Sequence, residues 1–193
     1  MQTNDFDMSE YSGMVATLAK PGEAILSQLT PQYAHLWHMA TGIMGEMTEA
    51  LLAYLCRDYA NMEEELGDTE FYFEGNSQGI GRVFVSRAIA IDNNSWDSVG
   101  TTLQNAVIAA GEVLDRTKKL IIYNDENRME GIIEWMGILR ERLDTLYALT
   151  GISRVKALKH NQNKLVKGKN ARYAGGNYSD EAAQKRADKP EGE

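Results

Sequence analysis

The sequence predicts an all-α fold, a bundle of helices without a sheet. Apolar residues recur at three- and four-residue spacing through residues 32–58, 99–123 and 126–167. Only three prolines occur in 193 residues. No run of strand-like composition has a second run to pair with, and an unpaired strand leaves its backbone groups unsatisfied.

The first long helix is read over 32–58. Leu36, Met39, Ile43, Met44, Met47, Leu51, Leu52 and Leu55 lie on one side of it, and Thr30-Pro31 supplies an N-cap and a first-turn proline. After a short turn near 57–60, a second helix is expected over 61–76, capped by Asn61, with Leu66 and Phe73 on its inner side. Gly67 interrupts it, at a cost of roughly 1 kcal/mol against alanine.

"EGNSQGIG" (74–81) reads as a helix end and loop; its glycines do not make a phosphate-binding loop, because no strand precedes them and the lysine is missing. "RVFVSRAIAI" (82–91) is strand by composition and helix by its neighbours, and is expected to continue as helix for want of a partner strand. "DNNSWDS" breaks the pattern. Helices follow over 99–123 and 126–167, the latter split at Gly151. Residues 174–193 are small and polar, a flexible tail or a flap that orders over something.

The totals narrow the class of function. The chain suffices for one compact domain or two fused halves. Cys56 is the only cysteine, so no intrachain disulfide forms and a reducing, cytoplasmic setting is expected. No signal peptide is read in residues 1–30, and no apolar run is long enough to span a membrane. A formal charge of −8 argues against a general nucleic-acid binder. The charge is uneven, however: from Arg154 to Arg172 there are seven Lys or Arg and no Asp or Glu, a basic strip able to hold a small polyanion.

The chemistry concentrates in two pairs of acids. Glu46 and Glu49 stand three apart on the first helix, and Glu65 and Asp68 repeat that spacing on the second. Antiparallel helices joined by a short turn bring the pairs together. Four carboxylates in one place repel unless a multivalent cation lies between them. An all-oxygen donor set suits Mg²⁺, with Mn²⁺ able to substitute. A di-iron bundle would need a histidine three residues after a glutamate on two helices, and His35, His38 and His160 are not so placed.

"GEMTEAL" followed by "EEELGDTEFY" resembles the ExxE…ExxD signature of MazG-type, all-α nucleoside triphosphate pyrophosphohydrolases. "HNQNKLVKGKNARYAGGNYSDEAAQKRADK" is similar to the closing segment of phage-borne members. The resemblance implies that Glu46, Glu49, Glu65 and Asp68 hold Mg²⁺, and that Asn161, Lys164, Arg172 and Tyr173 contact the triphosphate. His38, eight residues before Glu46, also matches a family position. Lys167 and Lys169 join on charge alone. Trp37, His38, Met39 and Tyr72 are candidates to stack on a base, with Trp37 and His38 preferred. Lys164 and Arg172 would offset charge developing on the leaving pyrophosphate. Of the acids, Glu49 is the candidate to accept the water's proton, a role the sequence does not separate from ligation.

The basic ending arrives late, after an insertion that resembles the same pattern a second time. In "AAGEVLDRTKKLIIYNDENRMEGIIEWM" (109–136), Glu112 and Asp115 lie on one helix and Glu130 and Glu134 on the next. Ala109 stands where the first metal glutamate would be, Gly131 where the third would be, and Glu134 in place of the aspartate. The expected organisation is an arm (1–30), a catalytic half (31–98), and a degenerate repeat with the basic segment (99–173), ahead of the tail.

The expected function is Mg²⁺-dependent hydrolysis of a nucleoside triphosphate, with dGTP the first substrate to try on family grounds, in a dimer or tetramer. The rival from another class is a catalytically silent helical protein that binds nucleotide or a partner.

Overall fold

The computed structural model describes residues 7–89 and 98–185, and among these there is no strand. The helices are α1 (Met8–Leu18), α2 (Gly22–Leu26), α3 (Pro31–Leu55), α4 (Tyr59–Gly79), α5 (Val99–Tyr123), α6 (Arg128–Thr150), α7 (Arg154–Gln162) and α8 (Asp180–Lys185). A π-helical turn, Asn163–Lys167, extends α7. Among the described residues no helix is long and apolar enough to cross a membrane.

Two antiparallel hairpins build the bundle. α3 packs on α4 and α5 on α6; α3 and α5 join the pairs, and α7 lies across α4. Contacts between Met44 and Gly111 and between Tyr54 and Gly100 show α3 and α5 running in opposite directions. Buried alanines at 40, 50 and 53 of α3 and at 106, 109 and 110 of α5 lie in the one core, with Ile43, Met47, Leu66, Leu103, Val113, Met136 and Leu143. Glycines let α3 and α4 approach each other closely, Tyr72 of α4 lying over Gly42 of α3 and Met39 of α3 over Gly75 of α4.

Local signals set the helix ends. Thr30 caps α3 by accepting from Tyr33 N, and Ser98 caps α5 by accepting from Thr101 N. α4 begins earlier than its sequence pattern suggests. Asp58 rather than Asn61 is its N-cap, and the Asp58 carboxylate accepts from Asn61 N at 3.0 Å. Within the arm expected over 1–30, α1 and α2 form, with Asp7 capping α1. Residues 1–6 lie outside the described residues.

The segment expected to continue as helix after residue 81 does not do so. Residues 82–89 are outside any helix; 90 and 91, and the breaker from 92 to 97, lie outside the described residues. Two causes act together. Gly81, at φ 65°, ends α4, with Arg82 N donating to Ser77 O and Gly81 N to Gln78 O, the paired bonds that close a helix C-terminus. The chain beyond is then held to α6 without a neighbouring strand, Asp144 accepting from Arg87 N at 2.8 Å and from Ser86 Oγ at 2.7 Å. Phe84 fastens the segment to the core, meeting Phe73 edge-on at 5.6 Å.

Candidate active site

On α3, residues 38, 42, 46 and 49 share one face, and that face meets α4. The result is a compact acidic cluster: one carboxylate oxygen from each of Glu46, Glu49 and Glu65 lies within 4.8 Å of the others. Glu65 is buried, Glu46 half-buried and Glu49 exposed. The repulsion leaves its mark on protonation. Burial first, then the charge of Asp68 and the contact with Glu65, push the Glu46 carboxyl up to about 8. Burial also raises Glu65, against the hydrogen bond from Glu46, which lowers it. Near neutral pH the pair therefore holds a proton where a cation would remove the need for one.

Asp68 faces the same cavity but is engaged from another side. Asn161 Nδ2 donates to it at 2.6 Å, and Lys164 Nζ donates to it as well as to Glu64 Oε1, the latter at 3.0 Å. Burial alone would lower the Lys164 ammonium, but the hydrogen bonds and charges of Asp68 and Glu64 outweigh it and hold it above its ordinary value.

Gly67 is what lets α7 come this close. A Cβ there would meet Ala157 O at 2.8 Å, a backbone atom that cannot swing aside, so α7 rests directly on the α4 backbone. The chain then doubles back. Gly168 N donates to Asn163 O at 2.7 Å, Arg172 N to Lys164 O at 2.9 Å and Tyr173 N to Leu165 O at 2.7 Å, folding the segment after the π turn against it. π turns of this kind recur at functional sites.

These elements enclose a cavity of about 690 Å³, a size that accommodates a small organic ligand. The four acids line it, as do Glu64, Asn161, Lys164, Arg172 and Tyr173. His38, Phe71 and Tyr72 form an aromatic side, with His38 and Tyr72 edge-to-face at 5.9 Å. Burial, then the charges of Glu46 and Asp68, raise the Tyr72 phenol. The tail supplies another wall through Gly176, Asn177, Tyr178 and Ala183, and the Tyr173 and Tyr178 rings lie 5.7 Å apart.

Three of the sequence candidates stand elsewhere. Trp37 is half-buried and does not line the cavity, because neighbouring helical residues project about 100° apart and the cavity face belongs to His38. Lys167 and Lys169 are exposed and outside the lining, so their charge lies on the surface. Residues missed from sequence include Glu64, Phe71 and Tyr178. Glu64 and Phe71 belong to the "EEELGDTEFY" run and Tyr178 to the "YSD" ending, but nothing in residue type alone separated them from their neighbours.

In the second hairpin, the described residues bring no three acids together. Ala109 is fully buried in the core, and Glu134 is exposed. Arg116 pairs with Glu112 at 3.1 Å, and its guanidinium lies 5.8 Å from the Trp135 ring centre. Gly131 leaves the room for it: a Cβ there would meet Arg116 Nη1 at 2.9 Å.

No protein-family model, curated protein or solved structure matches the chain.

Proposed function

We propose that the chain is a divalent-cation-dependent nucleoside triphosphate pyrophosphohydrolase of the MazG-like type, releasing the monophosphate and pyrophosphate. The observation that supports this reading is the sharing of one cavity by the acid cluster of α3 and α4 and by Lys164 and Arg172. A triphosphate carries negative charge that needs both kinds of partner: metal held by carboxylates at one end, fixed cations at the other.

The donor set fits Mg²⁺ or Mn²⁺, since it is all oxygen and convergent, and burial together with the neighbouring acids keeps a proton on Glu46. Glu46, Glu49 and Glu65 would hold the cation, with Asp68 completing the set. When bound, it would supply polarisation of the attacked phosphoryl group and a more acidic water.

The remaining work falls to the side chains. Glu49, the most exposed of the three clustered acids, is open to receive the proton of an attacking water. Lys164 and Arg172 face the polyphosphate and offset charge on the leaving pyrophosphate. His38, Phe71 and Tyr72 offer ring faces and edges to the base, and the tail wall with Tyr178 limits water. In the same reading α5 and α6 are a degenerate second copy that supports the first, and the chain assembles as a dimer or tetramer.

A panel of the eight common nucleotides with Mg²⁺ and with Mn²⁺, scored for monophosphate, pyrophosphate and orthophosphate, tests this. Monophosphate and pyrophosphate in equal amounts are expected, with dGTP the first substrate to examine. Orthophosphate as the product contradicts the reading. Metal-dependent nucleotide binding without turnover supports a silent binding protein instead.

A further inference from the structure

Behind α4, on the side away from the cavity, Glu70, Arg140 and Asp144 are buried together, and the partly exposed Arg154 joins them. Glu70, only 3% exposed, receives two guanidinium groups at once. Arg140 Nη1 donates to its Oε1 and Oε2 at 2.8 and 2.9 Å. Arg154 donates to the same two oxygens, Nε at 2.8 Å and Nη2 at 2.9 Å. Arg140 Nε also donates to Asp144 Oδ1 at 3.0 Å, and its guanidinium lies 5.4 Å from the Phe73 ring centre. Two acids and two guanidinium groups balance, which is what allows such a group to be buried. Glu70 and Asp68 are two apart on α4, so one faces this network and the other the cavity.

Two features go beyond what a neutral core pair requires. Arg154 is the first residue of α7, where a cation meets the positive end of the helix, and Ser153 already caps that end. The arginine thus stands against its local preference, and Glu70 is the group that holds it there. α7 also rests on α4 in a fixed register: Arg154 on Glu70, Ala157 O over Gly67, and Asn161 with Lys164 on Asp68 and Glu64. The two anchored ends are ten residues apart along one short rod, about 15 Å by helix rise, so a change of seat at one end moves the other.

We propose that Glu70 is a positioning residue of the site: through its forked pairing with Arg154 it fixes how α7 sits on α4, and so where Asn161 and Lys164 meet Asp68. The consequence for nucleotide binding rests on the pyrophosphohydrolase reading, whereas the seating of α7 stands independently of it.

Glu70→Gln would leave two guanidinium groups on a neutral amide and threatens the fold, so Arg154→Met, which keeps the Arg140–Glu70 pair, is the variant to use. Amide hydrogen exchange over residues 155–165 of the full chain should quicken about tenfold while α5 and α6 stay unchanged. Mg²⁺-dependent binding of inorganic tripolyphosphate should weaken about tenfold. In an Asn161→Ala, Lys164→Met background, adding Arg154→Met should weaken binding no further, because Arg154 acts through those two side chains. Arg154→Lys, a point charge without the fork, should restore only part of the loss. Unchanged exchange over 155–165 overturns the inference, as does a further loss on adding Arg154→Met to that background. Should the native chain bind no tripolyphosphate, the functional reading falls, and the exchange result alone decides the seating of α7.

Discussion

The two hairpins differ in how each treats the acids at its seam. In α5 and α6, Arg116 lies at the seam and pairs with Glu112 at 3.1 Å, with Gly131 opening space for the guanidinium. In α3 and α4, three carboxylates converge within 4.8 Å, and Lys164, which lines the same cavity, is spent on Asp68 and Glu64. One hairpin carries its own counter-charge. The other leaves Glu46 holding a proton up to about pH 8. Similar helical frames can thus pair their seam acids internally or leave them crowded around a retained proton by a change of a few residues, without changing the fold.

The sharpest way to break this comparison is to remove one acid from each seam. Glu49→Ala and Asp68→Ala should each lower Mg²⁺-dependent pyrophosphate release by about 10²–10³-fold, the scale for losing one preorganised charge-stabilising group. Glu112→Ala and Glu134→Ala should leave it unchanged. Circular dichroism should show full helicity in all four variants.

The seam glycines give the next contrast. Gly67→Ala pushes a Cβ into the Ala157 carbonyl and should destabilise the chain by about 1–3 kcal/mol in urea unfolding. Gly131→Ala meets only the end of the Arg116 side chain, which can turn away. It should be near neutral, or gain up to about 1 kcal/mol of helix propensity.

A smaller effect follows from protonation. The Glu46 carboxyl lies above its ordinary value in the folded chain, so its contribution to stability is complete below about pH 4.5 and is lost as pH rises through about 8. Without metal, the melting temperature should fall by about 2–4 °C from this group between those limits, its partial exposure being allowed for. Mg²⁺ should remove that fall, and Glu46→Gln should abolish it. Least of all, Arg116→Met should cost under about 1 kcal/mol, because its pair with Glu112 is partly solvated.

Sequence disclosed most where one local signal sufficed. The long helices were legible because periodicity, Thr30-Pro31 and Gly151 each mark a boundary without outside help. The acid spacing was legible because i, i+3 pairs share a helix face and can converge where two such faces meet. The non-helical course of 82–89 was not, because the group that holds it, through Arg87 N, is a carboxylate 57 residues away rather than a strand. Asp58 was overlooked as the cap of α4 because Asn61, three residues on, offered the same chemistry. The exclusion of Trp37 from the cavity depends on the exact phase of α3, which periodicity sets only to within a residue. The Glu70 ion-pair network was invisible, since its partners Arg140 and Arg154 are 70 and 84 residues distant.

The central claim is that the α3–α4 acids hold a divalent cation that the α5–α6 seam does not need. Titration of the nucleotide-free chain with Mn²⁺, followed by electron paramagnetic resonance and by proton release near pH 7, tests it most directly. Saturable binding with release of the Glu46 proton is expected, lost in Glu46→Ala and retained in Glu112→Ala. Absence of bound Mn²⁺, or equal binding by Glu46→Ala, would contradict it.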